Sequence, residues 1–236
     1  MKSAPFILVL LLLSFVTVFA PAHAADPSRT LLHQANTPAA RQLIKAALTQ
    51  EPTAFLNEGR FEAGYLYLLS GRRVLVPGLR YHVGQRIIEV QDSLNTDSTS
   101  YWPLAALRGF DLGTNDDVAA LRRYRPRLVH DSHQADRREA VQVLTATDAG
   151  PLLLGYLPVL LPGTATPGYV LLAGPGRDTT QPLRSLDSRD TDVLHLLGER
   201  AGKVQAFART NNLHFCSPPE IARMFDYYNK LAVAVW

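Results

Sequence analysis

Cysteine is almost absent from this chain of 236 residues: Cys216 stands alone, so no disulfide can form within the fold and the core must hold it unaided. Lysine is scarce too, 4 residues against 20 arginines, and the formal net charge is only +3. That charge is too small to imply nucleic acid as a partner, and an arginine bias alone assigns no function. Long apolar runs are missing after residue 20. The nearest, PLLLGYLPVLLPG (Pro151–Gly163), is broken by proline and glycine, so no transmembrane span is expected in the mature chain. Nucleophile motifs are missing as well: there is no G-x-S-x-G elbow, no S-x-x-K with its partners and no H-E-x-x-H. GPGRDTT (Gly174–Thr180) has glycines but neither the G-K-[ST] ending nor the following helix of a phosphate loop. No cofactor is expected.

What is present begins with an address. Lys2 precedes an apolar run from Phe6 to Ala20, and Ala22-His23-Ala24 supplies the small-x-small pattern read by signal peptidase. The run is short of the ~20 residues that span a bilayer. Residues 1–24 therefore read as a signal peptide, with an uncleaved anchor as the alternative, and the mature chain is expected in the periplasm or outside the cell. Residues 25–53 read as a patternless lead-in and one short helix. Thr37-Pro38 is an N-cap followed by proline at the first helical position, and Ala40, Leu43, Ile44, Ala47 and Leu48 recur at helical spacing.

From Ala54 the period changes to two. Residues 54–174 alternate Tyr, Leu, Val and Ile between turn signals at Ser70-Gly71, Pro77-Gly78 and Gly84-Gln85. Strands so close together leave no room for crossover helices, which makes the pairing antiparallel. Pro126 argues against a helix in VAALRRYRPRLV, which reads as a helical turn and then an edge strand. Residues 175–190 are polar and proline-bearing, a linker, and residues 191–236 turn helical again, with Gly198 closing or kinking the first helix. The expected fold is α+β: an antiparallel β body (meander, sandwich or half-barrel) with a short N-terminal helix and a C-terminal helical appendage.

Three clusters invite a chemical reading. His130, Asp131, His133 and Asp136 are all metal-ligating types within seven residues, but the histidines are three apart with no intervening glutamate, as a polar loop would also have them. A catalytic zinc there would need a further ligand, for which His82 on a neighbouring strand is the candidate. Arg123, Arg125 and Arg127 share one face of an extended segment, and guanidinium forks suit phosphate and carboxylate; a charged edge strand that discourages sheet–sheet pairing explains the same residues. Cys216 precedes Ser217-Pro218-Pro219-Glu220, a capping-box pattern. In that register Cys216 is a buried hydrophobic staple against Ile221 rather than a nucleophile served by His214.

The C-terminal stretch LHLLGERAGKVQAFARTNNLHFCSPPEIARMFDYYNKL and the hairpin region AGYLYLLSGRRVLVPGLRYHVGQRIIEV together resemble a group of uncharacterised exported proteins of Bacteroidota-type Gram-negative bacteria. Phe207, Asn211 and Leu213 match that group's F-x-K-x-N-x-L stretch, with Arg209 where lysine is usual, and Tyr227-Tyr228-Asn229 match the end of its last helix. The resemblance implies an exported α+β protein and carries no catalytic residue. The functional expectation is a non-enzymatic envelope module that binds an envelope protein, anionic lipid or polysaccharide. The alternative is a metal-assisted hydrolase at the His130/His133 loop.

Overall fold

The period-two segments pair into one ten-stranded antiparallel sheet. The computed structural model describes residues 27–51, 54–92, 98–114, 121–131, 135–161 and 166–233. Helices α1 (Pro27–Ala35) and α2 (Pro38–Gln50) come first. The strands are β1 (Glu62–Leu68), β2 (Arg73–His82), β3 (Ile87–Gln91), β4 (Thr99–Pro103), β5 (Leu107–Leu112), β6 (Arg122–Val129), β7 (Arg137–Val143), β8 (Leu152–Val159), β9 (Gly168–Pro175) and β10 (Arg184–Ser185). Helices α3 (Asp190–Leu197), α4 (Ala201–Thr210) and α5 (Pro218–Val233) complete the chain. Among the described residues, no helix is long and apolar enough to cross a membrane.

The order in the sheet is β10-β9-β8-β7-β6-β5-β1-β2-β3-β4: two meanders joined where β5 returns to pair with β1. Only residues 104–106 separate β4 from β5. In a flat sheet those strands would lie four spacings apart, about 19 Å, whereas that length of chain reaches only about 14 Å when extended. The sheet must therefore curl. Arg86, in the β2–β3 turn, confirms the curl by clasping Glu139 of β7 at 2.7 and 2.9 Å. Leu66, Tyr81, Phe110 and Tyr124 pack where the curl closes, each 1% exposed or less, and Phe110 stacks on Tyr124 at 4.8 Å. Each such burial contributes about 1.5–3 kcal/mol. Trp102 joins this core from the side and donates to Ser100 Oγ at 3.2 Å.

Four local expectations change. Pro77-Gly78 is no turn: β2 runs through it, and a bulge between Glu62↔Leu79 and Gly64↔Val76 absorbs the extra residue. Pro126 lies in an interior strand rather than an edge strand, because β5 stops pairing with β6 at Phe110↔Tyr124 and leaves that flank open; residues 118–120, where the helical turn is expected, lie outside the described residues. The lead-in contains α1, whose Asn36 flank docks on β4. On α2, Thr37 caps as expected, but of the stripe Leu43 is 73% exposed, while Ile44 and Leu48 pack with Phe55 and Tyr101.

The C-terminal helices are less an appendage than a cover for the β8–β9 face. Val193, Val204, Ile221 and Phe225 pack with Leu154 and Leu171 in one buried cluster. The stretch 175–190 supplies β10, and its Leu183 is fully buried and bridges to Val129. Asn229 explains part of the Tyr-Tyr-Asn ending. Its side-chain amide takes the Leu152 N–H and donates to the Leu152 carbonyl, both at 2.8 Å, as a neighbouring strand would. Asn36 does the same on the edge strand β4, accepting from Tyr101 N–H at 3.0 Å and donating to its carbonyl at 2.8 Å. Tyr227 stacks on Phe207 at 4.1 Å and Arg200 sits 5.6 Å over Tyr228. These motif residues are architecture.

Candidate functional site

The period-two arithmetic puts Arg123, Arg125 and Arg127 on one strand face, and the fold uses all three. Arg123 donates to the carbonyls of Thr145 and Ala146. Arg125 bonds Asp111 at 2.8 Å and Asp148 at 2.7 Å and lies 4.6 Å over the Tyr67 ring. Asp111 is 2% exposed and also accepts the Tyr67 hydroxyl at 2.6 Å. Burial, then that carboxylate, raises the Tyr67 pKa above its ordinary value. Arg127 is buried among the carbonyls of Pro175, Gly176 and Asp178, and burial lowers its pKa. This is neither a solvent-facing charged edge nor an open row of anion donors. Guanidinium forks here tie the β7–β8 and β9–β10 connections to the sheet.

At the proposed metal loop, His130 Nδ1 meets Asp136 at 2.9 Å, and Asp131 lies 3.9 Å from Arg137. His133 lies outside the described residues. Among the described residues, no three His, Cys, Asp or Glu side chains converge as metal ligands do. His82 is committed elsewhere: Nδ1 accepts from Gln85 N–H and Nε2 faces the Glu51 carbonyl, both at 3.1 Å, with Phe55 edge-on against the ring. That pairing needs the neutral imidazole with its proton on Nε2.

Burial lowers the His82 pKa below 6.5. The unfolded chain therefore takes up this proton near pH 6.5 and the folded chain only lower. The contribution is complete above 6.5 and falls as pH drops through the folded value, by at most about 1.4 kcal/mol per pH unit. Denaturant midpoints measured between pH 7.5 and 5 should fall in wild type and fall less steeply in His82→Gln.

Cys216 does not act as a staple. It is exposed, and Leu213 and the half-buried Phe215 pack against the helices instead. The helix start is as expected at Pro218, but Glu220 reaches back to His214, accepting from its backbone N–H and from Nδ1 at 3.0 Å. The capping carboxylate thus bonds three residues upstream of the N-cap. Glu220, not the Cys216 thiol, is the partner of His214 Nδ1.

The concave surface lies instead beneath the N-terminal helices. Two adjoining clefts of about 660 and 620 Å³ share Arg41, Gln91 and Thr99, each within the size range of ligand sites. The first runs between α1 and the splayed ends of β2, β3 and β4. The floor of the second is the Arg80 guanidinium, held between Phe55 (4.2 Å) and Phe61 (4.4 Å) and bonded to Glu89 at 2.7 Å and the Gly59 carbonyl at 2.9 Å. Its rim includes Glu58 and Gly59, and the run Asn57-Glu58-Gly59 is left-handed throughout, φ 53°, 57° and 74°. Two non-glycine residues in that region cost about 1–3 kcal/mol each, strain that tends to collect at ligand sites. Gln42, Lys45 and Gln91 line this cleft, and none has a side-chain partner among the described residues. No sequence signal marked them: the groove joins residues 41–49, 55–61, 80–91 and 99–101, and their spacing shows nothing until the chain folds.

A third cleft of about 550 Å³, beside the end of α5, holds Asp226, Arg177 and Lys230. Asp226 accepts from Ala146 N–H, and burial raises its pKa. Comparison with protein-family models, with curated proteins and with solved structures returns no match.

Proposed function

We propose that this chain is an exported, non-enzymatic binding module whose ligand site is the groove beneath α1 and α2. Support for export comes from Lys2, the apolar run to Ala20 and the Ala22-His23-Ala24 site, and from the resemblance of the C-terminal segment to exported proteins. The observation that carries the binding reading is the contrast in how polar side chains are spent. Arginines of the β6 row are bonded within the fold, Arg127 Nε apart, whereas Gln42, Lys45 and Gln91 face a cleft with no internal partner among the described residues. Arg29, Arg41 and Lys45 bias the rim toward acidic ligands, since Arg80 is matched by Glu89.

Charge reversal tests this without touching the core. Lys45→Glu and Arg29→Glu should each weaken binding of polyglutamate or polygalacturonate about three- to tenfold, the scale of one rim charge. Added salt should weaken wild-type binding and narrow the gap. Equal affinity of wild type and both variants in low salt would remove the groove from the account.

A further inference from the structure

The first cleft exists because β2 and β3 part company. They pair only from Leu79↔Val90 to His82↔Ile87, while β2 continues to pair with β1 back to Arg73. The β2 bulge and the end of β3 at Gln91 open a wedge between them, and α1 roofs it. One wall of the wedge is β2 from Val74 to Pro77, which lacks a strand partner on that side among the described residues.

Ladder alternation tells which backbone groups face the wedge. The β1–β2 hairpin closes with Leu68 N–H to Arg72 O and Gly71 N–H to Leu68 O, and Gly113 N–H bonds Ala63 O on the far side of β1. Antiparallel strands alternate their bonding direction residue by residue. Gly64 and Leu66 therefore bond toward β2, Tyr65 and Tyr67 toward β5. Val74 and Val76, opposite Leu66 and Gly64, spend their groups on β1. Leu75 points its N–H and C=O the other way, into the wedge, and its side chain is 61% exposed. Free strand edges are templates for another strand, and natural proteins cover or charge them. The β4 edge illustrates the rule: Asn36 and Arg41 meet the backbone of Tyr101 and Thr99 there. Leu75 has no such cover among the described residues.

From this juxtaposition we propose that the wedge is a strand-addition site at Leu75 for an extended, acidic segment of a partner protein. Backbone bonds to Leu75 supply the affinity common to such sites, and side-chain contacts supply the choice of partner. Arg29, His33 and Arg41 line the wedge against Asp92, which favours acidic residues on the incoming strand. The inference rests on the groove as ligand site and adds the kind of ligand and its mode of attachment.

The test uses a capped peptide alternating valine or threonine with glutamate, and the same peptide N-methylated at alternate positions so that one edge cannot hydrogen bond. In the free protein the Leu75 amide should exchange rapidly. On saturation with the unmodified peptide it should slow by about tenfold or more, and the N-methylated peptide should neither bind comparably nor protect it. Leu75→Pro removes the outward N–H, which no bond to β1 uses, and should weaken peptide binding while Lys45→Glu remains effective against polyglutamate. Equal binding of both peptides, or binding without Leu75 protection, overturns strand addition while leaving the groove reading intact. Leu75 protection already present in the free protein, polygalacturonate binding where the peptide fails, or no peptide binding at all also overturns it.

Discussion

Asp111→Ala should destabilise the protein by about 3–5 kcal/mol, the cost of stripping one partner from a buried charge pair. For a chain of this size that corresponds to a fall of roughly 6–20 °C in Tm. Two groups lose their acceptor: the Arg125 guanidinium and the Tyr67 hydroxyl, which meet opposite oxygens of the same carboxylate. Asp111 is almost sealed from water, so nothing replaces it cheaply. Asp148, the other partner of Arg125, has a side chain 38% exposed, and Asp148→Ala should cost only about 0.5–1 kcal/mol. The double variant Asp111→Ala/Arg125→Met should recover much of the loss, because it removes the stranded charge as well. Urea titrations of the four proteins decide the matter. A single Asp111→Ala within about 1 kcal/mol of wild type would mean the network is ornamental and the arginine row free for other work.

Asn229→Ala should cost about 2–4 kcal/mol, since it leaves both the N–H and the C=O of Leu152 without their helix-side partner. Asn229→Asp keeps an acceptor for the N–H but sets a carboxylate against the carbonyl, so it should be nearly as damaging. Gly150→Ala should act through the same contact. A methyl at that position would lie 2.5 Å from Asn229 Nδ2, and the amide would have to leave Leu152 to make room. Chemical denaturation with a tryptophan or far-UV probe reads all three, and a near-neutral Asn229→Ala would show that α5 is held by its apolar stripe alone.

The parts of this fold set by local periodicity were legible: the change from period 3.6 to period two near residue 54, the Thr37 cap, the kink at Gly198 and the antiparallel pairing of the strands between 54 and 174. What failed depended on partners distant in sequence. Pro77-Gly78 looks like a turn until β1 is seen to hold both sides of the bulge. Arg123, Arg125 and Arg127 do share a face, but Asp111, Asp148 and the Pro175–Asp178 carbonyls that occupy them come from separate loops and strands. Cys216 fitted a staple by position. Yet Leu213 and Phe215 filled the apolar space first, leaving the thiol outside. Asn36 and Asn229 show the same limit from another side. An asparagine near a helix end reads as a cap, and nothing local says that its amide will serve as one rung of a β-ladder.

The groove was invisible for that reason, and it is the claim on which the functional account turns. Backbone amide shifts recorded during a polyglutamate titration test it most directly. The account predicts saturable shifts clustered at Lys45, Gln91 and Leu75, with Arg123, Arg125 and Arg127 unmoved. Shifts concentrated on the arginine row, with the groove silent, would contradict it.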